Sequence, residues 1–282
     1  MKLAVSIANR EDFGSMRQQS AQRDRFQKRF RELLFAEPQL RGRVLDIGCG
    51  GGFPPPLSGI EKLSERIDGV DASDAVMSHP SLCERWQSPF ETAPIPSDAY
   101  DLAYAYNVVE HIQNPAPFFL ALLRVLKPGG VFWALTPYGP HPFCRLSRSI
   151  EVLGGKAWFA KRNAGVNDYP AYYRLNAIRS VAAGAETAGF ASAAFYRFPC
   201  VNWNMYFPGA LRWVPYLYDS LLGTRISSCM QILAFRISRR PAGSTTTATT
   251  PNAPGCPPAA DAAPETHRIP IVCMPGDIAL DC

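Results

Sequence analysis

Long apolar runs are missing from this chain of 282 residues. None approaches the ~18 consecutive apolar residues of a membrane-spanning helix. Met1–Ala8 carries one basic residue and an apolar stretch too short for a signal peptide. Cys-x-x-Cys pairs are missing too. The eight cysteines (Cys49, Cys83, Cys144, Cys200, Cys229, Cys256, Cys273, Cys282) are scattered, unlike a zinc site or a tight disulfide framework. Reduced thiols and a cytoplasmic location are expected, with no metal. Histidine is scarce: His79, His111, His141 and His267 are the four present. Few side chains can therefore act as a base near neutral pH.

Acidic charge is short as well, at a formal net charge of +5. The tail from Pro241 holds four acids against one base, so the remainder carries +8. Arg23, Arg25, Lys28, Arg29 and Arg31 cluster, but Phe26, Phe30, Leu33 and Leu34 recur among them at helical spacing. That pattern describes an amphipathic helix with solvated charges, within an N-terminal helix over 10–36. Basic residues interleaved with stacking aromatics, as a nucleic-acid surface needs, are not what it shows. No nucleic-acid partner is expected.

What is present is concentrated at residues 44–53, Val-Leu-Asp-Ile-Gly-Cys-Gly-Gly-Gly-Phe. An apolar strand runs into Asp46, and Gly48, Gly50 and Gly52 follow at alternate positions. Such a turn brings backbone close to a ligand at the carboxyl end of a strand. A second short strand, Ile67–Val70, leads to Asp71, whose carboxylate can accept both hydroxyls of a ribose. Together they point to a nucleoside cofactor. A dinucleotide site wants a third glycine where Phe53 stands, and Pro54, Pro55 and Pro56 remove N–H donors that a pyrophosphate would use. A cofactor without phosphates fits better.

Asp46-x-Gly48-x-Gly50-x-Gly52 resembles the first motif of the class I S-adenosylmethionine-dependent methyltransferases. The resemblance extends from about residue 26 to residue 240. Tyr100–Asn107 is similar to that family's fourth strand, and Val108-Val109-Glu110-His111-Ile112 to the signature of a subgroup containing ubiquinone-pathway O-methyltransferases. Arg124-Val125-Leu126-Lys127-Pro128-Gly129-Gly130 is another specific match. Asn114 reads as an N-cap with Pro115 in the first turn, Lys127–Gly130 as the helix stop, and Val131–Pro137 as the fifth strand.

The resemblance implies an α/β fold: a Rossmann-like, seven-stranded, mostly parallel sheet with helices on both faces. It implies S-adenosyl-L-methionine as cofactor, held by Asp46, Gly48, Cys49, Gly50, Gly52, Asp71, Ala72, Ser88, Phe90, Tyr106 and Asn107. Phe90 would contribute its backbone amide, and Cys49 would be a small filler. Ser88 or Pro89 stands where relatives often carry an Asp beside the adenine, and the prolines leave only Ser58–Ser64 for the first helix.

An insertion over 138–176, rich in aromatic and basic residues, is expected to cap the acceptor, with Tyr138, Tyr172, Tyr173 and Arg174 as its contacts. Asn176 reads as the N-cap of a helix ending at Ala188-Gly189. His141 and His111 are the candidate bases, each with a structural role as the alternative. The aromatic segment 203–222, before a last strand at 229–237, reads as sheet cover or a dimer contact, with weak membrane-surface contact as the alternative. Domain 1–240 is thus followed by a Pro/Thr/Ala-rich tail, 241–282, whose composition predicts disorder.

The activity expected from the resemblance is methyl transfer to a small-molecule acceptor, oxygen slightly ahead of nitrogen or carbon. A non-catalytic methyltransferase-like scaffold is the alternative, and an NAD-dependent oxidoreductase comes third.

Overall fold

A computed structural model describes residues 2–7, 25–152, 170–198, 209–211, 213–218, 221–222, 226 and 229–243. The 241–282 tail beyond 243, the cap between 153 and 169, and residues 10–24 of the expected N-terminal helix lie outside these.

The strands are β1 (Ala4–Ile7), β2 (Arg43–Ile47), β3 (Arg66–Asp71), β4 (Arg85–Gln87), β5 (Tyr100–Tyr106), β6 (Leu126–Pro137), β7 (Ser192–Phe198) and β8 (Ile232–Ser238). They form one sheet in the order β1-β7-β8-β6-β5-β2-β3-β4. Every pairing is parallel except those of β8 with β6 and β7. The chain builds outward from β2 through β3 to β4, then crosses to β5 on the other side of β2. That reversal opens a crevice at the carboxyl ends of β2 and β5, where open α/β sheets bind ligands.

The expected seven strands become eight because Ala4–Ile7 pairs parallel with β7. The four residues Ala-Val-Ser-Ile had shown only a short apolar stretch, and their strand exists through a distant partner.

Residues alternate between the two sheet faces. Leu45, Ile47, Ala103, Ala105, Phe132 and Ala134 face α2 (Pro115–Val125) and α4 (Ile178–Ala188). Val44, Leu102, Tyr104 and Trp133 face α1 (Arg25–Phe35), whose Phe30 and Leu34 are fully buried against them. Between α2 and α4 in the chain lies α3 (Pro142–Val152), and α5 (Trp213–Tyr218) lies between β7 and β8.

Several boundaries differ from expectation. α2 ends at Val125 and β6 begins at Leu126, so Lys127–Gly130 already belongs to the strand, with a register shift opposite Tyr100. Gly129, with φ of 83°, makes the bend. No helix forms over Ser58–Ser64; two short 3₁₀ turns, Pro55–Leu57 and Ile60–Lys62, stand there. Gly59, in the left-handed region with φ of 88°, separates the two turns and interrupts any continuous helix. α1 holds it instead: Arg31 Nη1 donates to the carbonyls of Pro56 and Ser58, each at 2.9 Å.

Candidate active site

Gly48 and Gly50 adopt φ of 74° and 53°, the left-handed region that only glycine enters cheaply. A Cβ on Gly48 would lie 2.4 Å from Val108 Cγ2, so the turn after β2 packs directly on the turn after β5. At Gly50 and Gly52 an added Cβ would meet nothing within 4 Å. These two glycines therefore present bare backbone to open space.

The loop is tied to the end of β3. Asp71 Oδ2 accepts the Gly50 amide at 2.8 Å and Oδ1 accepts the Ser73 amide at 2.8 Å. Each carboxylate oxygen keeps acceptor capacity beyond one backbone bond. Ser88 donates its amide to the Asp71 carbonyl at 2.9 Å, placing the residue after β4 beside the same edge. Ala72 is exposed there. Phe90 packs its ring on Phe118 at 5.5 Å, so its side chain belongs to the core and its amide is what it can offer.

Asp46 lies beneath the loop, 2 % exposed, and its Oδ2 accepts the Tyr104 hydroxyl at 2.6 Å. Burial, only partly offset by that bond, pushes the Asp46 carboxyl up to about 7. Sequence reasoning missed Tyr104, although a tyrosine inside an apolar strand needs a hydroxyl partner and Asp46 stands directly across from it. Burial also pushes the Cys49 thiol far up, as suits a filler and not a nucleophile. Tyr106 and Asn107 end β5 next to this crevice; Asn107 is exposed, with φ of 56°.

A second group surrounds the carboxyl end of β6. Thr136 donates to Glu110 Oε2 at 2.8 Å and accepts Asn176 Nδ2 at 2.6 Å. Burial raises the Glu110 carboxyl above its ordinary range. The Glu110 carbonyl accepts the amides of Tyr172 and Tyr173, at 2.8 and 3.0 Å. Those tyrosines are half-buried, Arg174 is exposed, and Tyr138 sits under the Arg197 guanidinium at 5.9 Å. Asn176 is not the expected N-cap: Ala177 occupies that position, because the Asn176 amide is committed to Thr136 and Pro137. Asn114 does hold the N-cap position of α2, without a side-chain bond.

The two candidate bases differ in tautomer. His111 Nδ1 lies 3.0 Å from the Pro170 carbonyl, which can only accept, so Nδ1 carries the proton and Nε2 is the basic nitrogen. His141 Nδ1 instead accepts the Phe143 amide at 3.1 Å, which puts the proton of the neutral ring on Nε2. Its ring is fully buried, edge-on to Tyr218 at 5.6 Å. His141 can gain a proton only by giving up the Phe143 bond.

Among the described residues, no group of three or more His, Cys, Asp or Glu side chains could hold a metal, and no helix is long and apolar enough to cross a membrane.

The family model described as a methyltransferase domain matches residues 19–186. A probable S-adenosylmethionine-dependent methyltransferase of Mycolicibacterium smegmatis is 34% identical over 99 residues, covering 33% of this chain and 37% of the relative. A ubiquinone biosynthesis O-methyltransferase of Leptothrix cholodnii is 28% identical over 146 residues, covering 47% of this chain and 58% of the relative. The matched part thus spans less than two thirds of either relative. Among solved structures, the YcgJ protein of Bacillus subtilis superposes with a TM-score of 0.50 at 16% identity, over 75% of this chain and 98% of that one. That likeness concerns the fold alone.

Proposed function

This chain belongs to the class I S-adenosylmethionine-dependent methyltransferase family, and we propose that it methylates a small-molecule acceptor, preferentially at oxygen. The observation that carries the reading is the Gly50–Asp71 bond, which joins a left-handed glycine turn to the acid at the end of the next strand.

The residues fit the family's cofactor. Gly50 and Gly52 face open space that any side chain would narrow, and Asp71 keeps lone pairs for two ribose hydroxyls. Phe53 and Pro54–Pro56 would serve a pyrophosphate poorly, which counts against an NAD-dependent oxidoreductase. When bound, S-adenosyl-L-methionine supplies a methyl group already activated by a sulfonium.

The chain's task is then to orient, exclude water and manage one proton. Asp71 and the 48–52 turn would orient the cofactor, while Tyr172 and Tyr173, strapped to the Glu110 carbonyl, would wall the acceptor. His111 would take the acceptor's proton on Nε2, its tautomer held by Pro170. A base of this kind suits oxygen acceptors, whose hydroxyl proton must leave. It also favours an enzyme over a cofactor-binding scaffold.

Incubation with methyl-labelled cofactor and a metabolite extract, followed by mass spectrometry, tests the reading. Label on oxygen is expected. Label confined to nitrogen or carbon would overturn the preference, and tight S-adenosylhomocysteine binding without labelled product would favour the scaffold.

A further inference from the structure

Among the described residues, eight polar or charged side chains are buried: Asp46, Asp68, His79, Glu110, Thr136, His141, Asn176 and Gln231. Five of them gather around the carboxyl end of β6. Glu110, Thr136 and Asn176 are bonded to one another, His141 lies in the turn after the strand, and the Gln231 carbonyl accepts the Tyr138 amide at 2.6 Å. A concentration of buried polarity at the edge of a sheet demands an account, because each such group loses hydration.

Two atoms in this group accept no hydrogen bond from the described residues: Asn176 Oδ1 and Gln231 Oε1. The Asn176 orientation is fixed by chemistry. Its amide faces the Thr136 oxygen at 2.6 Å and the Pro137 carbonyl at 2.8 Å, and the carbonyl can only accept. Nδ2 must face them both, so Oδ1 points elsewhere.

Register places Gln231 on the same face. Thr136 is directly opposite Leu233 in the antiparallel ladder, and residues two apart along a strand share a face. Gln231 stands one residue before β8, but its carbonyl takes the Tyr138 amide as a continued ladder would, which puts it on the face of Thr136, where Asn176 docks. The Tyr138–Gly139 turn is bracketed by the same pair, since Gly139 donates its amide to the Asn176 carbonyl at 2.7 Å. Gln231 and Asn176 thus hold the two residues of one turn through their main-chain carbonyls, and each also carries an unpaired, buried side-chain oxygen close to the tyrosines that would wall the acceptor.

We propose that Asn176 Oδ1 and Gln231 Oε1 form a subsite that receives an O–H or N–H donor of the methyl acceptor. This rests on the methyltransferase reading and narrows it: the acceptor carries a hydrogen-bond donor at this position, and a fully alkylated analogue is refused. Glu110 is held away from the task by Thr136, which leaves the two neutral amides to read the donor. A hydroxyl donor would relieve one of the two unpaired oxygens and an NH2 group both, whereas a capped analogue would leave both buried and unpaired, which is the stronger source of selectivity.

The test uses protein saturated with S-adenosylhomocysteine and two pairs of aromatic fragments, phenol with anisole and aniline with N,N-dimethylaniline, titrated by ligand-observed NMR. Phenol and aniline should bind at least about tenfold more tightly than their methylated counterparts. Gln231→Met keeps the side-chain volume and leaves the Thr136–Asn176–Pro137 bonds in place. It should abolish most of that preference while S-adenosylhomocysteine affinity stays unchanged and Tm is equal or higher.

Equal binding within each pair, no binding by either donor, or a preference that survives Gln231→Met would overturn the proposal. A change in Tm alone would mean that the two oxygens matter only to folding, and that too overturns it. Failure of S-adenosylhomocysteine to bind would strike the methyltransferase reading instead, and the donor preference is then read on the protein alone.

Discussion

The Tyr104 hydroxyl sits 2.6 Å from Asp46 Oδ2, on neighbouring strands and directly across the ladder, and both side chains are buried. Burial raises the Asp46 carboxyl to about 7, against about 3.9 in an unfolded chain. The folded state therefore holds a proton that the unfolded chain has released. The Asp46 contribution to stability is therefore greatest below pH 4 and is lost as pH rises through 7. Asp46→Asn keeps an oxygen for Tyr104 and cannot ionise. Its Tm advantage over the native chain should grow from pH 5 to pH 8 in thermal melts; a constant difference would show that Asp46 stays ionised.

Asp71 has two duties, and its removal should reveal both. Asp71→Ala would lose two ribose contacts, each worth about 1.5–3 kcal/mol for a charged acceptor. It would also release the Gly50 and Ser73 amides. Calorimetry should show S-adenosylhomocysteine binding weakened at least about tenfold. Unchanged affinity would remove the ribose assignment.

Asp68 is the contrasting case. It is fully buried and accepts from the guanidinium groups of Arg43 and Arg66, the Tyr100 hydroxyl and the Glu84 amide. Asp68→Ala would strand these donors, and breaking such a buried pair costs about 3–5 kcal/mol. Denaturant melts should register that loss. Cofactor affinity in the surviving folded protein should not follow it, since Asp68 lies about 10 Å along β3 from Asp71.

The histidines are separated by their effects on rate and on stability. His111→Ala should lower kcat by about 10²–10⁴ while S-adenosylhomocysteine affinity and Tm stay close to those of the native chain. His141→Ala should act mainly on Tm, because it vacates a buried ring and frees the Phe143 amide. A rate loss confined to His141→Ala would reverse the assignment.

Legibility in the sequence followed how local the cause was. The glycine turn and Asp71 could be read because positive φ and a strand-end acid leave direct traces in residue type. The prolines after the turn leave a trace in residue type as well, but Ser58–Ser64 carries no sign that Gly59 takes the left-handed region and splits it into short turns. Strand β1 was missed because its partner, β7, lies near the other end of the chain. Asn176 was assigned to a helix cap on local grounds, while Thr136 and Pro137 claimed its amide across the fold. The tautomers of His111 and His141 depend on single contacts that no spacing rule encodes.

Arg31 reaching from α1 to the carbonyls of Pro56 and Ser58 has a consequence for how this chain can vary. A helix that follows a glycine turn carries its own internal scaffolding, and the turn travels with it. Here the scaffolding is borrowed from a segment that precedes the first central strand. The proline loop and α1 are therefore one inheritable unit split in two. Deleting α1 while keeping the loop should leave the glycine turn anchored to Asp71 and loosen only the 54–58 stretch that Arg31 holds.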